Sequence, residues 1–162
     1  MRREIHDTRF TASQAETIRL FSQRFRGWQD SNGSFATKQP RWHTNSKLQA
    51  SIATWLNANS STDKEDFAKY CLVNLDNNLE LLDKHLSAFL ENIGYKRAKI
   101  IWKTLRERQI SNQSLPLENS LEEVYQYAWL AASNPRYFYE NFQRESPHLL
   151  RYTEVKIKGV IL

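Results

Sequence analysis

The 162 residues include 23 Lys and Arg against 18 Asp and Glu, which gives a net charge of +5, and 40% of them are hydrophobic. This length predicts one domain. A content of 25% charged residues is typical of a globular chain rather than a disordered one. The four Gly and four Pro are too few for the turns of an all-β fold. The single Cys excludes an internal disulfide framework, and no stretch approaches the ~20 apolar residues of a membrane span, so we expect a cytoplasmic protein.

The N-terminal third predicts two helices. Ser13 and Glu16 have the spacing of a capping box, and apolar residues then recur every three or four positions up to Trp28, which predicts one helix over residues 11–28. Residues 29–41 contain Gly33 and Pro40 and are predicted to form a loop. A second helix is expected after Thr44 or Asn45, and its inward face comprises Leu48, Ile52, Trp55 and Leu56.

The middle of the chain predicts three more helices. Thr62 with Glu65 forms a second capping-box pattern and opens a helix that runs to Leu75. A leucine-rich helix is expected over residues 76–92, and Gly94 is expected to separate it from another helix over residues 95–108.

The C-terminal third begins with a polar loop at residues 110–119. Ser120 with Glu123 is a third capping-box pattern, and the helix that follows should bury Leu121, Tyr125 and Trp129, which stand at i, i+4 and i+8. Asn134-Pro135 predicts a short helical turn, and residues 148–162 predict a final helix. The fold class is therefore predicted as all-α, a helical bundle of about six to eight helices without a sheet, in one domain over residues 1–162.

No enzyme active site is indicated. None of the four His lies at metal-ligand spacing from another His or from Cys, and phosphate-cradling glycine motifs and a nucleophilic serine elbow are absent from the sequence. Cys71 lies on an apolar helical face, so we interpret it as a structural residue. Glu122 and Glu123 lie in a first helical turn, where carboxylates favour the helix dipole. We therefore expect no catalysis, no cofactor, no metal and no small-molecule substrate.

The positive charge is uneven along the chain. Residues 1–40 carry a balance of +3, residues 41–94 a balance of −2, and residues 95–162 a balance of +4. This pattern favours an anionic partner, nucleic acid first, although a solvated basic surface is the alternative. The candidate nucleic-acid-binding residues are a stripe of Lys96, Lys99, Lys103 and Arg106, and on the last helix Arg151, Tyr152, Lys156 and Lys158.

Several segments resemble a known family. Residues 85–90 (HLSAFL) and the helix after them resemble the opening of conserved region 2 in sigma-70 family RNA polymerase sigma factors, and look closest to divergent sigma-like proteins of cyanobacteria. Residues 20–22 and 41–48 are similar to the N-terminal part of those proteins. The helix after Ser120 stands where the family has an Asp-Leu-x-Gln helix, and Tyr152-Thr153 stands where it has Tyr-Ala. On this resemblance, residues 62–162 are a region 2-like core preceded by N-terminal helices in residues 1–60.

The resemblance implies a non-catalytic transcription module. Its partners would be the RNA polymerase core and promoter DNA, with no membrane; the polymerase-binding residues would be Leu121, Glu122, Glu123 and Gln126. The sequence departs from the family where Ser120 and Glu123 replace its Asp and Gln, and where Val155 and Lys156 replace its strand-opening aromatic pair.

Two other functions fit the same composition, namely a helical protein-interaction adaptor and an RNA-binding small subunit of a ribonucleoprotein. The apolar end at residues 160–162 leads us to expect a longer native chain, in which the family's helix-turn-helix would follow.

Overall fold

A computed structural model describes residues 10–30, 38–59, 63–77, 80–111 and 120–162. These residues form seven helices and one small antiparallel sheet of two strands, so the chain is mostly helical. The elements, in chain order, are α1 (Ala12–Ser22), β1 (Gln23–Gln29), β2 (Gln39–Thr44), α2 (Ser46–Ala58), α3 (Lys64–Val73), α4 (Glu80–Ser111), α5 (Leu121–Ala132), α6 (Pro135–Phe138) and α7 (Leu149–Ile161).

The first helix is shorter than the sequence predicted. Its capping box is formed by Thr11 and Gln14 rather than by Ser13 and Glu16, and it ends at Ser22 rather than at residue 28. The chain then continues as β1. The prediction of an all-α fold without a sheet is therefore wrong at this point, while the predicted number of helices agrees with the seven described.

The two strands form an irregular hairpin. Phe25 lies opposite Trp42, and the register shifts between Phe25 and Trp28. Gly27 has a φ of 98° inside this irregularity, a conformation that side-chain-bearing residues rarely adopt. A hydrogen bond of 2.9 Å from the Asn45 amide to the Ser22 carbonyl closes the base of the hairpin.

The end of α1 is fixed by α4. The Phe21 carbonyl lies 2.8 Å from Nδ1 of His85, and Nδ2 of Asn92 donates to the carbonyls of Leu20 and Gln23 at 3.3 and 3.0 Å. Carbonyls in the last turn of a helix lack intrahelical partners, and both His85 and Asn92 are buried. The change from helix to strand is therefore stabilised by side chains more than 60 residues away in sequence.

The next two helices begin at side-chain caps. Oδ1 of Asn45 accepts from the Leu48 amide at 3.0 Å, so Asn45, rather than Thr44, is the cap among the two predicted positions for the start of α2. The cap of α3 is Asp63, which forms a capping box with Asp66. Thr62, predicted as the cap, lies outside the described residues.

α4 is one continuous helix of 32 residues rather than the two predicted on either side of Gly94. It contacts all six other helices and β1. Gly94 is buried in the middle of this helix, where it lies against Ala128 of α5. The predicted loop at residues 110–119 lies outside the described residues apart from 110 and 111, which belong to α4.

The C-terminal helices pack on α4 and complete the core. Asn134 caps α6 with Pro135 at its first position, and the Leu150 amide at the start of α7 donates to Oε2 of Glu65 at 2.7 Å. Leu121 and Tyr125 are buried, as predicted for α5. Trp129 is 41% exposed, so its predicted burial is wrong.

Candidate binding surfaces

The first turns of α5 present carboxylates at the surface. Oγ of Ser120 accepts from the Glu123 amide at 3.2 Å, which sets the start of the helix at Leu121. The side chain of Leu121 enters the core, whereas Glu123 and Gln126 are exposed and Glu122 is half-buried. Oε2 of Glu122 lies 3.9 Å from Nζ of Lys38. Three of the four predicted polymerase-binding side chains are thus accessible.

These side chains border a groove between α5 and β1, which we call the α5 groove. It has a volume of about 460 Å³. Phe25 packs edge-to-face on Trp28 with ring centroids 5.3 Å apart, and its centroid lies 6.3 Å from that of Trp129. The groove is lined by Phe25, Trp28, Ser120, Glu122, Glu123, Tyr125, Gln126 and Trp129. The sequence did not indicate Phe25 and Trp28 as surface residues, because their spacing predicted the inner face of a helix.

More apolar side chains are exposed close by in sequence. Tyr127 and Leu130 of α5 are 57% and 52% exposed, and Tyr137 of α6 is 66% exposed. Tyr127 and Leu130 extend the apolar surface of α5 beyond the groove residues, as is typical of surfaces that contact other proteins, whereas Tyr137 lies on a different helix.

The last helix presents two exposed cations. Arg151 and Lys158 stand at i and i+7, so they lie close to the same face of α7. Leu149, Thr153 and Ile157 are buried and anchor the opposite face. The structure therefore keeps both predicted phosphate-contacting residues at the surface.

Lys156 has an intramolecular role. Its ammonium donates to the Phe138 carbonyl at the end of α6 and lies 5.0 Å from the Phe138 ring centroid and 5.7 Å from that of Tyr152. These contacts satisfy a helix-terminal carbonyl and hold the ammonium group at the end of α6. The predicted DNA contact by Lys156 would require it to leave this position.

Tyr152 belongs to an aromatic cluster at the edge of a second groove. Its ring centroid lies 4.8 Å from that of Phe142 and 6.1 Å from that of Tyr139. The groove, of about 590 Å³, is also lined by His148, Arg151 and Val155. A half-buried ring beside an exposed guanidinium suits an unpaired base with its phosphate.

The predicted stripe on α4 is present. Its four cations, Lys96, Lys99, Lys103 and Arg106, are all exposed. The Arg106 guanidinium lies 5.3 Å from the Trp102 ring centroid, which holds the end of this long side chain against the helix.

The buried side chains of Cys71, Tyr139 and Thr153 have the properties of core residues rather than of a reactive site. Burial raises the pKa of the Cys71 thiol well above its ordinary value, which disfavours the nucleophilic thiolate. The hydroxyls of Tyr139 and Thr153 form a 2.8 Å hydrogen bond inside the core, and burial raises the pKa of Tyr139. Among the described ranges, no group of three or more His, Cys, Asp or Glu side chains could hold a metal ion.

In the part of the chain that the structure describes, no helix combines the length and apolar character needed to cross a membrane. Comparisons of the chain with protein-family models, with curated proteins and with solved structures find no match.

Proposed function

We propose that this chain is a sigma-like transcription module that docks on the RNA polymerase core through the α5 groove and contacts promoter DNA through α7 and the α4 stripe. The proposal rests on the resemblance of residues 85–162 to region 2 of sigma-70 family factors. The observation that carries it is the α5 groove itself, because it lies on the helix that corresponds to the polymerase-binding helix of that family.

The groove has the chemistry of a protein-docking site. It is lined by aromatic rings from β1 and α5 and by the side chains of Glu122 and Glu123. Aromatic rings can bury apolar surface against a helix of a partner protein, and the carboxylates favour a partner with basic residues. In sigma factors the equivalent helix docks on a coiled coil of the polymerase's largest subunits, which is a helical partner of the kind that this groove would accept.

Binding to polymerase tests the docking surface. In a pull-down with the core polymerase of the source organism, the double variant Gln126→Ala/Trp129→Ala should weaken binding about tenfold or more, as truncation of a central aromatic side chain does. Tyr137→Ala is the matched control, since Tyr137 is an exposed ring outside the groove. Failure of the wild-type chain to bind core polymerase would refute the proposed function, and equal binding by both variants would refute the assigned surface.

DNA contact is tested separately in the polymerase–DNA complex. Replacing Arg151 and Lys158 by Ala should reduce the slope of log affinity against log salt by about 0.7–0.9 for each phosphate that is no longer neutralised. Lys47→Ala on α2 removes an exposed cation away from α7 and should leave the slope unchanged. An unaltered slope in the double variant would reject these residues as phosphate contacts.

The exposed apolar side chains of α5, namely Tyr127, Trp129 and Leu130, also favour a second function, a protein-interaction adaptor whose basic charge is incidental. An adaptor would bind its partner through α5 and show no measurable DNA affinity at low salt. The same salt titration therefore separates the two functions.

A further inference from the structure

A third concave surface, distinct from the α5 groove and from the groove at Tyr152, lies where α1, β2, α3, α4 and α7 meet. We call it the basic cleft. Its volume is about 310 Å³, and it is lined by cations from three helices and by two aromatic rings. Those six residues are Arg19, Trp42, Lys64, Tyr95, Lys96 and Lys99.

The cleft has an excess of positive charge. Its two carboxylates are already paired, Glu16 with Lys64 at 3.6 Å and Glu154 with Arg97 at 3.2 Å. Within the described ranges Lys96 and Lys99 form no ion pair, and both are exposed. Two lysine charges thus face a concave surface without a carboxylate to neutralise them, and an anion would fill that role.

Arg19 is positioned by the core. Nη1 of Arg19 donates to Oδ1 of Asn92 at 3.4 Å. Asn92 is buried, and Nδ2 of Asn92 donates to backbone carbonyls that include that of Ala88 at 2.8 Å. The orientation of the Asn92 amide is therefore determined by the fold, and one nitrogen of the guanidinium is held toward Asn92 in the cleft. Among the described residues, the other guanidinium nitrogens of Arg19 have no hydrogen-bond partner.

Two rings stand beside these cations. Trp42 and Tyr95 are half-buried and pack edge-to-face with centroids 5.8 Å apart. A planar heterocycle can stack on such a ring, and ring faces next to lysine and arginine are the combination that binds nucleotides without base selectivity.

We propose that the basic cleft binds one nucleotide unit, with its phosphate on Arg19, Lys96 and Lys99 and its base against Trp42 or Tyr95. The same chemistry belongs to a free nucleoside monophosphate and to a nucleotide within a single strand. For the single strand, the proposal deepens the nucleic-acid contact assigned above to the α4 stripe and rests on it; for the free nucleotide it is independent.

Calorimetric titration of the full chain at low salt, without polymerase, tests the cleft. The probes are AMP, a short oligothymidylate, adenosine and inorganic phosphate. We expect saturable binding of AMP or the oligonucleotide, and about tenfold weaker binding of adenosine and of phosphate, because each supplies half of the contacts. Preference for AMP identifies a free-nucleotide site, and binding of the oligonucleotide alone identifies a single-strand site.

The decisive variant is Lys96→Ala/Lys99→Ala, which changes exposed residues and should weaken AMP or oligonucleotide binding about tenfold or more. Lys47→Ala/Arg108→Ala is its matched control, because it removes the same charge from two exposed positions outside both the cleft and the α4 stripe. Trp42→Leu should weaken nucleotide binding and leave phosphate binding unchanged.

Three results would overturn the proposal: no saturable binding of either nucleotide probe, equal binding of phosphate and AMP, or equal effects of the two double variants. If the chain binds polymerase but neither nucleotide probe, the proposed function stands and the nucleotide site is rejected. If the chain binds AMP but not polymerase, the nucleotide site stands and the proposed function is rejected.

Discussion

Gly94 illustrates a position where packing overrides helix propensity. A Cβ at this position would lie 2.9 Å from Cβ of Ala128 and 3.6 Å from Cε1 of Tyr125. Glycine in a helix interior costs about 1 kcal/mol relative to alanine, so its presence here is explained by the close approach of α4 and α5. The sequence pattern alone indicated a helix boundary at this glycine, because contact with α5 is not visible in local periodicity.

Gly94→Ala should therefore destabilise the protein by about 1–2 kcal/mol, since α4 and α5 would have to move apart. Gly159→Ala is the matched control, because a Cβ there meets nothing within 4 Å and the helix propensity should stabilise α7 by up to about 1 kcal/mol. Urea unfolding measures both changes. Equal stabilisation by the two substitutions would contradict the close contact, and Ala128→Gly should rescue the first variant.

His85 makes the stability depend on pH. It is fully buried, and its Nδ1 donates to the Phe21 carbonyl while Nε2 accepts from Ser51 at 3.0 Å. Burial lowers the pKa of His85 from its ordinary 6.5 to about 4. Between these pH values the unfolded chain binds a proton at His85 that the folded chain does not. The contribution of His85 to the free energy of unfolding is therefore complete above pH 6.5 and falls as the pH decreases toward 4.

We expect the free energy of unfolding to fall by about 3 kcal/mol across this range, at roughly 1.4 kcal/mol per pH unit. His85→Asn keeps an N–H donor near the Phe21 carbonyl but does not titrate, so its pH dependence should be flatter by that amount. His148→Gln, at an exposed site, should retain the wild-type slope. Parallel curves for wild type and His85→Asn would rule out His85 as the source.

At the scale of elements, the hairpin is attached to α4 by one buried carboxylate. Glu91 is 4% exposed; its two oxygens accept from Nε and Nη2 of Arg24, each at 3.0 Å, and Oε1 also accepts from the Phe25 amide at 2.9 Å. A two-stranded hairpin is marginally stable by itself in water. Its position on the helices therefore depends on this ion pair and on the contacts of Phe25.

Arg24→Met should cost about 3 kcal/mol, because it leaves the Glu91 carboxylate buried with one backbone donor. The double variant Arg24→Met/Glu91→Gln should recover part of that stability, since no unpaired charge remains. Lys64→Met, which breaks the exposed pair with Glu16, should cost less than about 1 kcal/mol. Denaturant unfolding gives all three values; a destabilisation by Arg24→Met as small as that by Lys64→Met would show that the pair contributes little.

Helix starts were predicted from sequence better than helix ends. Asn45, Ser120 and Asn134 were expected to precede helices, and each accepts a hydrogen bond from an amide in the first turn. Such caps act within three residues of the sequence. The end of α1 and the existence of β1 depend instead on His85 and Asn92, and no local pattern contains that information.

The candidate binding sites also differ in how much of each could be predicted from the sequence. Spacing along an amphipathic helix was enough to place Arg151 and Lys158 together at the surface. It could not show that Lys156 is held by the Phe138 carbonyl, or that Phe25 and Trp28 pack against the core from a strand and also line the α5 groove. The exposed face of a single helix can be predicted from the sequence pattern, whereas a groove between two elements can be identified only once their packing is known.

At the scale of the whole molecule, α4 is the common partner of the other helices and of β1. Elements that share one central helix should lose their packing together, so we expect a single cooperative transition. Tryptophan fluorescence should test this well, since Trp28, Trp42, Trp55, Trp102 and Trp129 are spread over the hairpin, α2, α4 and α5. Its denaturation midpoint should coincide with that of far-ultraviolet circular dichroism; separate midpoints would show that the hairpin unfolds independently.

The length of α4 also has a kinetic consequence. At 1.5 Å per residue its 32 residues extend about 48 Å, longer than a small domain is wide. Leu105 still packs on the core, but residues 106–108 are exposed. Amide hydrogens near Arg106 should therefore exchange with deuterium through local unwinding, many times faster than those between Leu86 and Ala98, whose exchange requires global unfolding. A phosphate-bearing ligand held by Arg106 would slow exchange in that last part of the helix alone.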